Sequence, residues 1–195
     1  MIKLFKGLPL FAAKIVDLED GIIDVSLVDD PAVEKPFLYF GKGKVNFSIQ
    51  NEEQKLVSGV VMIPDTPIYR RSPELGEYYV TFSKEVIKKM VERMSQENRF
   101  NSVTLNHDGN LVEGVTLVEV FLKDTERGIN PTYADVPDGT LFATYKVDNP
   151  EVWEEIKKGT FRGFSLAGVF DLEEQKSDLD EVLDLLAQVK VRYKL

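Results

Sequence analysis

Alternating and helically spaced apolar positions divide the chain into short strands and a few helices. Gly21–Val28 reads as one extended strand, ended by the turn signal Asp29-Asp30-Pro31. Leu56–Met62 is a second strand, stopped by Pro64, and Tyr78–Phe82 a third. Ser83 can cap a helix in which Val86, Ile87, Met90 and Met94 recur at helical spacing. Val103–His107 alternates, which predicts Val103, Leu105 and His107 on one face. Val115–Leu122 is rich in β-branched residues, Asp124–Asp138 is a polar loop with two prolines, and Leu141–Val147 is strand again. Asn149-Pro150 opens a short helix with Val152, Trp153 and Ile156 inward, and Gly159 closes it. Phe161–Phe170 reads as one strand. The acidic run Asp171–Asp184 reads as a solvated helix start. Ser177 begins a last helix with Val182, Leu183, Leu185 and Leu186 as its buried stripe, and Val189–Tyr193 is a closing strand. The sum is an α+β domain around a mainly antiparallel β-sheet or barrel with flanking helices.

Residues 1–55 read differently from 56–195. Phe37-Leu38-Tyr39-Phe40 leads into Gly41-Lys42-Gly43-Lys44, a basic joint, and then a polar run from Gln50 to Lys55. This predicts an N-terminal arm or small subdomain over 1–55, with a docking or assembly role, and a main domain over 56–195. The strand in the arm either completes the core sheet or pairs with another protein, because a bare strand edge is sticky. Met1–Ala13 faintly echoes a secretory leader, but Gly7 and Pro9 interrupt it, and it reads as the start of a strand or arm.

The composition narrows the chemistry. Of 195 residues 43% are hydrophobic, enough for a core, and no apolar run approaches the ~20 residues that span a bilayer, so no membrane partner is expected. The net charge of −9 argues against a nucleic-acid partner, which demands a basic footprint. Cysteine is absent, which excludes disulfides, thiolate metal sites and a cysteine nucleophile. One histidine and no phosphate-cradling glycine loop leave neither metal nor cofactor indicated, and no carboxylate pair stands out.

His107 is the single histidine and precedes the turn Asp108-Gly109-Asn110, where a general base is held yet reachable. Taken alone, a lone histidine is more often a surface or core residue. Ser165 lies in Gly163-Phe164-Ser165-Leu166-Ala167-Gly168, whose small residues let a substrate backbone approach, but this is no strand-turn-helix nucleophile elbow. By spacing alone Ser165 is one serine among several.

The order of several short motifs adds to this. Ile23-Asp24-Val25-Ser26-Leu27-Val28-Asp29-Asp30-Pro31-Ala32, Gly59-Val60-Val61-Met62-Ile63-Pro64, Ile68-Tyr69-Arg70, Phe82-Ser83-Lys84-Glu85, Leu105-Asn106-His107-Asp108, Val118-Glu119, Val147–Trp153, Lys157-Lys158-Gly159 and Gly163–Gly168 follow one another over nearly the whole chain. In these the sequence resembles the XkdF-type serine proteases of tailed phages, a branch of the prohead protease group. The resemblance implies an assemblin-like fold and a serine endopeptidase with histidine before serine, at His107 and Ser165. It implies major capsid and scaffold proteins as partners, with self-association open. It places the protein in the host cytoplasm inside the assembling prohead, with retention in the virion also open. Related proteases carry a third histidine or acid in a last strand, and Lys190–Leu195 contains none. Glu119 is the candidate third member, because it falls on a family motif and on the face of Val115, Leu117 and Phe121. A hairpin between the strands at Leu105 and Val115 sets it opposite about Val103, far from His107. A structural ion pair for Glu119, a bare dyad, and a catalytically inactive protease-like head component are the competing readings.

Overall fold

The computed structural model describes residues 2–16, 21–29, 47–51, 54–101, 103–131, 134–177, 180 and 182–183. In chain order the elements are β1 (Leu4–Phe5), β2 (Leu8–Lys14), β3 (Gly21–Val28), β4 (Phe47–Asn51), β5 (Leu56–Met62), β6 (Ile68–Ser72), β7 (Gly76–Thr81), α1 (Lys84–Gln96), β8 (Val103–Leu105), β9 (Val115–Leu122), β10 (Leu141–Val147), α2 (Pro150–Lys158), β11 (Gly163–Val169) and β12 (Asp171–Glu174).

Both helices begin and end on local chemistry. The Ser83 hydroxyl accepts from the Val86 backbone N–H and caps α1, whose Ile87, Met90 and Met94 are buried. Asn149 accepts from the N–H groups of Glu151 and Val152, Pro150 fills the first turn of α2, and Gly159 ends it at φ 77°.

The strands form three sheets. β1, β2, β7 and β6 lie in that order, with β12 also on β2. The second sheet runs β4-β5-β10-β9, every pair antiparallel. The third runs β11-β3-β8, antiparallel between β11 and β3 and parallel between β3 and β8. One core joins the sheets. Leu27, Phe164, Val103 and Tyr145 are each no more than 1% exposed, and the Tyr145 and Phe164 rings meet at 5.2 Å.

The α+β class with a β-rich body stands, but the barrel alternative does not. Among the described residues no sheet closes on itself: each strand order is open, and α2 leads the chain from the second sheet to β11 of the third. The expected hairpin between the strands at Leu105 and Val115 is also absent. β8 lies beside β3 and β9 beside β10, separated by a turning segment with Gly109 and Gly114 in the left-handed region. The first part of the acidic run is strand rather than helix. Asp171 and Glu173 face out, Leu172 packs inward, and Glu173 pairs with Lys14 at 2.8 Å. Past Ser177, Val182 and Leu183 are 52% and 53% exposed rather than buried.

Strands within 1–55 pair with strands of 56–195: β2 with β7 and β12, β3 with β11 and β8, and β4 with β5. Of the two fates foreseen for the Gly21–Val28 strand, the fold shows the first, pairing within the core. The Phe37–Phe40 segment, the Gly41–Lys44 joint and the closing strand at Val189–Tyr193 lie outside the described residues.

Candidate active site

The third sheet has one apolar face and one hydroxyl face. Val25 and Leu27 of β3, Phe164 of β11 and Val103 of β8 point into the core. Alternation turns Ser26, Ser165 and Thr104 the other way. Pairing sets Ser165 opposite Ser26 and Ser26 opposite Thr104, so three hydroxyls cross three strands in one row. Asp24 lies two residues from Ser26 on the same face, opposite Ala167.

His107 reaches this row through a break in its strand. β8 stops at Leu105, and Asn106 and His107 both take left-handed backbone, at φ 46° and 56°. For residues with a Cβ that conformation costs on the order of 1–3 kcal/mol each, and asparagine and histidine tolerate it better than most. Backbone N–H groups hold the turn: Asn106 donates to Leu27 O at 3.0 Å, Asp108 to Leu105 O at 3.0 Å, and His107 to Ser26 Oγ at 3.2 Å. The expected face sharing with Val103 and Leu105 is thereby corrected. A continued strand buries the imidazole in the core, whereas the turn swings it over the hydroxyl row.

His107 Nε2 lies 2.9 Å from Ser165 Oγ, and His107 Nδ1 lies 2.9 Å from Ser26 Oγ. The Asp24 carboxylate is 3.6 Å from Nδ1. Thr104 donates to Asp24 Oδ1 at 3.0 Å, and the Ser26 hydroxyl lies within hydrogen-bond reach of both that oxygen, at 3.2 Å, and Thr104 Oγ1. Ser165 is 7% exposed and Ser26 fully buried, whereas the His107 side chain is 37% exposed, so the site opens to solvent on the histidine side. Beside it, the Asn110 backbone N–H holds the Asp108 carboxyl below the usual carboxylate range, aided by the Asn110 side chain.

His107 and Ser165 are thus brought together, and Glu119 is not among the partners of either. Glu119 stands on β9 in the second sheet, opposite Thr144, and lines an open hollow with Ser58, Phe121 and Pro131. The carboxylate near His107 is Asp24, which the sequence reading did not single out. Its signal is the pair of polar residues at 24 and 26, two apart in a strand that is otherwise largely apolar. Among the described residues no three His, Cys, Asp or Glu side chains gather as metal ligands.

Chemically, the arrangement is a hydroxyl facing an imidazole, with the far imidazole nitrogen tied to a carboxylate through hydroxyls. That set can lower the barrier to attack by Ser165 on an electrophilic carbonyl.

Residues 44–174 match the profile of the family described as "Putative phage serine protease XkdF". The matched stretch includes His107 and Ser165, whereas β3, with Asp24 and Ser26, lies before it. The chain is also similar to the phage-like element PBSX protein XkdF of Bacillus subtilis (strain 168), with 28% identity over 153 residues. That alignment takes in 76% of this chain and 46% of the relative, so the chain spans about half the length of the relative. No solved structure matches.

Proposed function

Because the chain belongs to the XkdF family, we propose that it is a serine endopeptidase of phage head assembly, with Ser165 as nucleophile and His107 as its base. The observation that carries this is the 2.9 Å contact between His107 Nε2 and Ser165 Oγ. Hydrogen-bond reach between those two atoms is what the enzyme requires and what an inactive head component does not. In the reaction, Nε2 takes the Ser165 proton as Oγ attacks the peptide carbonyl. The same nitrogen then gives the proton to the leaving amine, and water repeats the cycle on the acyl-enzyme. Asp24 stands where a third member belongs, on the Nδ1 side of the ring. It takes the role for which Glu119 was the candidate.

The substrates we propose are scaffold and capsid proteins, cut inside the assembling prohead in the host cytoplasm, a reading that the motif resemblance supports. An assemblin-like arrangement of the histidine and serine strands goes with the same reading. The test is to incubate the purified protein with its capsid and scaffold proteins and map the new N-termini. Ser165→Ala and His107→Ala are expected to lower the rate by about 10⁴-fold or more with the unfolding transition retained. Cleavage by Ser165→Ala at the parent rate overturns the proposal.

A further inference from the structure

We infer that Ser26, backed by Thr104, is a positioning residue that relays the charge of Asp24 to His107 and fixes its tautomer. The inference rests on the protease reading above. The register of the third sheet sets it up. Residue 26, not residue 24, is aligned with Ser165 and Thr104, so the carboxylate lies one step along the strand from the row. At 3.6 Å the Asp24 oxygen is beyond hydrogen-bond reach of Nδ1, whereas Ser26 Oγ at 2.9 Å is within it.

Counting protons decides which way the bonds run. A serine hydroxyl has one proton and two acceptor positions, and an ionised carboxylate only accepts. The His107 backbone N–H occupies one acceptor position on Ser26. Thr104 gives its proton to Asp24 Oδ1. The Ser26 proton then goes to Asp24 or to Thr104, and both directions lead toward the negative charge. The remaining lone pair of Ser26 faces Nδ1, so Nδ1 carries the ring proton and Nε2 presents its lone pair to Ser165. The reverse assignment spends the Ser26 proton on Nδ1. It leaves either the short Ser26–Thr104 contact without a proton or Asp24, whose side chain is only 17% exposed, one donor poorer, and it leaves Nε2 protonated and unable to act as a base. When the Ser165 proton reaches Nε2, the Nδ1 proton stays in place. The imidazolium is then stabilised through the hydroxyls by Asp24.

The test uses the whole protein and two independent readouts. Because His107 is the only histidine, imidazole ¹⁵N spectra report its tautomer without assignment ambiguity. The neutral ring is expected to carry its proton on Nδ1 in the parent chain, and to lose that preference in Ser26→Ala. On a capsid-derived peptide, Ser26→Ala is expected to lower kcat by roughly 10²-fold or more with KM little changed. Asp24→Asn combined with Ser26→Ala is expected to be no slower than the worse single variant, as for groups that act as one unit. Thr104→Val, close in shape, gives a smaller loss and serves if Ser26→Ala does not fold. An Nε2-protonated neutral ring in the parent chain overturns the relay. So does parent-like kcat in Ser26→Ala while Asp24→Asn is slow. If Ser165→Ala cleaves like the parent, the protease reading fails instead, and the tautomer spectrum alone decides whether the relay exists.

Discussion

Tyr145 lies in β10 with its ring against Phe164 and its hydroxyl without a hydrogen-bond partner. Burial pushes its pKa well above the ordinary tyrosine range, so the group stays neutral, but the hydroxyl has still been removed from water for nothing in return. Tyr145→Phe is therefore expected to leave stability unchanged or raise it by about 1 kcal/mol, read as an equal or higher melting temperature. A loss of 2 kcal/mol or so on that measurement means that the hydroxyl has a partner after all. Single residues also show where sequence reading reaches its end. His107 and Ser165 were legible because a strand-end histidine and a glycine-flanked serine are visible locally and fell on a motif. Thr104 and Ser26 were not, since their meaning comes from a register between segments some eighty residues apart. Glu119 shows the converse. It has the alternation of a site residue, but its strand pairs with β10 and leaves it over a different hollow.

Elements whose ends are set by neighbouring residues were read nearly to the residue. Ser83, Asn149 and Gly159 mark α1 and α2 where the sequence put them, and β5, β9 and β10 match their apolar runs. Elements that exist only through distant partners were missed or misread. β6 buries just Ile68, and β12 draws its identity from β2 rather than from its own acidic sequence. The long strand expected over Phe161–Phe170 stops at Val169, just past an irregularity between Ala167 and Gly168. Gly168 is there because space is lacking. A Cβ at this position would meet Gly21 O at 2.4 Å and the Phe170 ring at 2.6 Å. Gly168→Ala must push β11 away from β3, and a backbone oxygen cannot rotate aside. The expected result is a loss of about 1–3 kcal/mol by thermal unfolding. Activity should fall by more than the unfolded fraction explains, because Ser165 and Ser26 face each other across the same pair of strands. Unchanged values for both would show that the strand pair yields at no cost.

At the scale of the molecule, the α+β class was legible from strand and helix periodicity, whereas the division into three sheets was not. Parallel pairs such as β3 with β8 and β2 with β7 carry no turn signal, so nothing local announces them. The same pairings decide what removing the N-terminal segment does. Deleting 1–50 takes away β1, β2 and β3, the middle strand of the third sheet, and with it Asp24 and Ser26. The truncated chain is expected to lose its cooperative unfolding transition and all cleavage. A truncation that stays folded and cleaves a short peptide but no longer enters proheads would instead support the docking role of that segment.

The site draws on β3, the turn after β8, and β11, and ribosomes deliver these in that order. A growing chain holds first Asp24, later His107 and last Ser165, with some 140 residues between the ends of the set. Until β11 settles on β3, the serine has no imidazole to activate it. On the protease reading proposed above, cleavage waits for β11 to join β3, so a chain still being made is no threat to itself or to its neighbours.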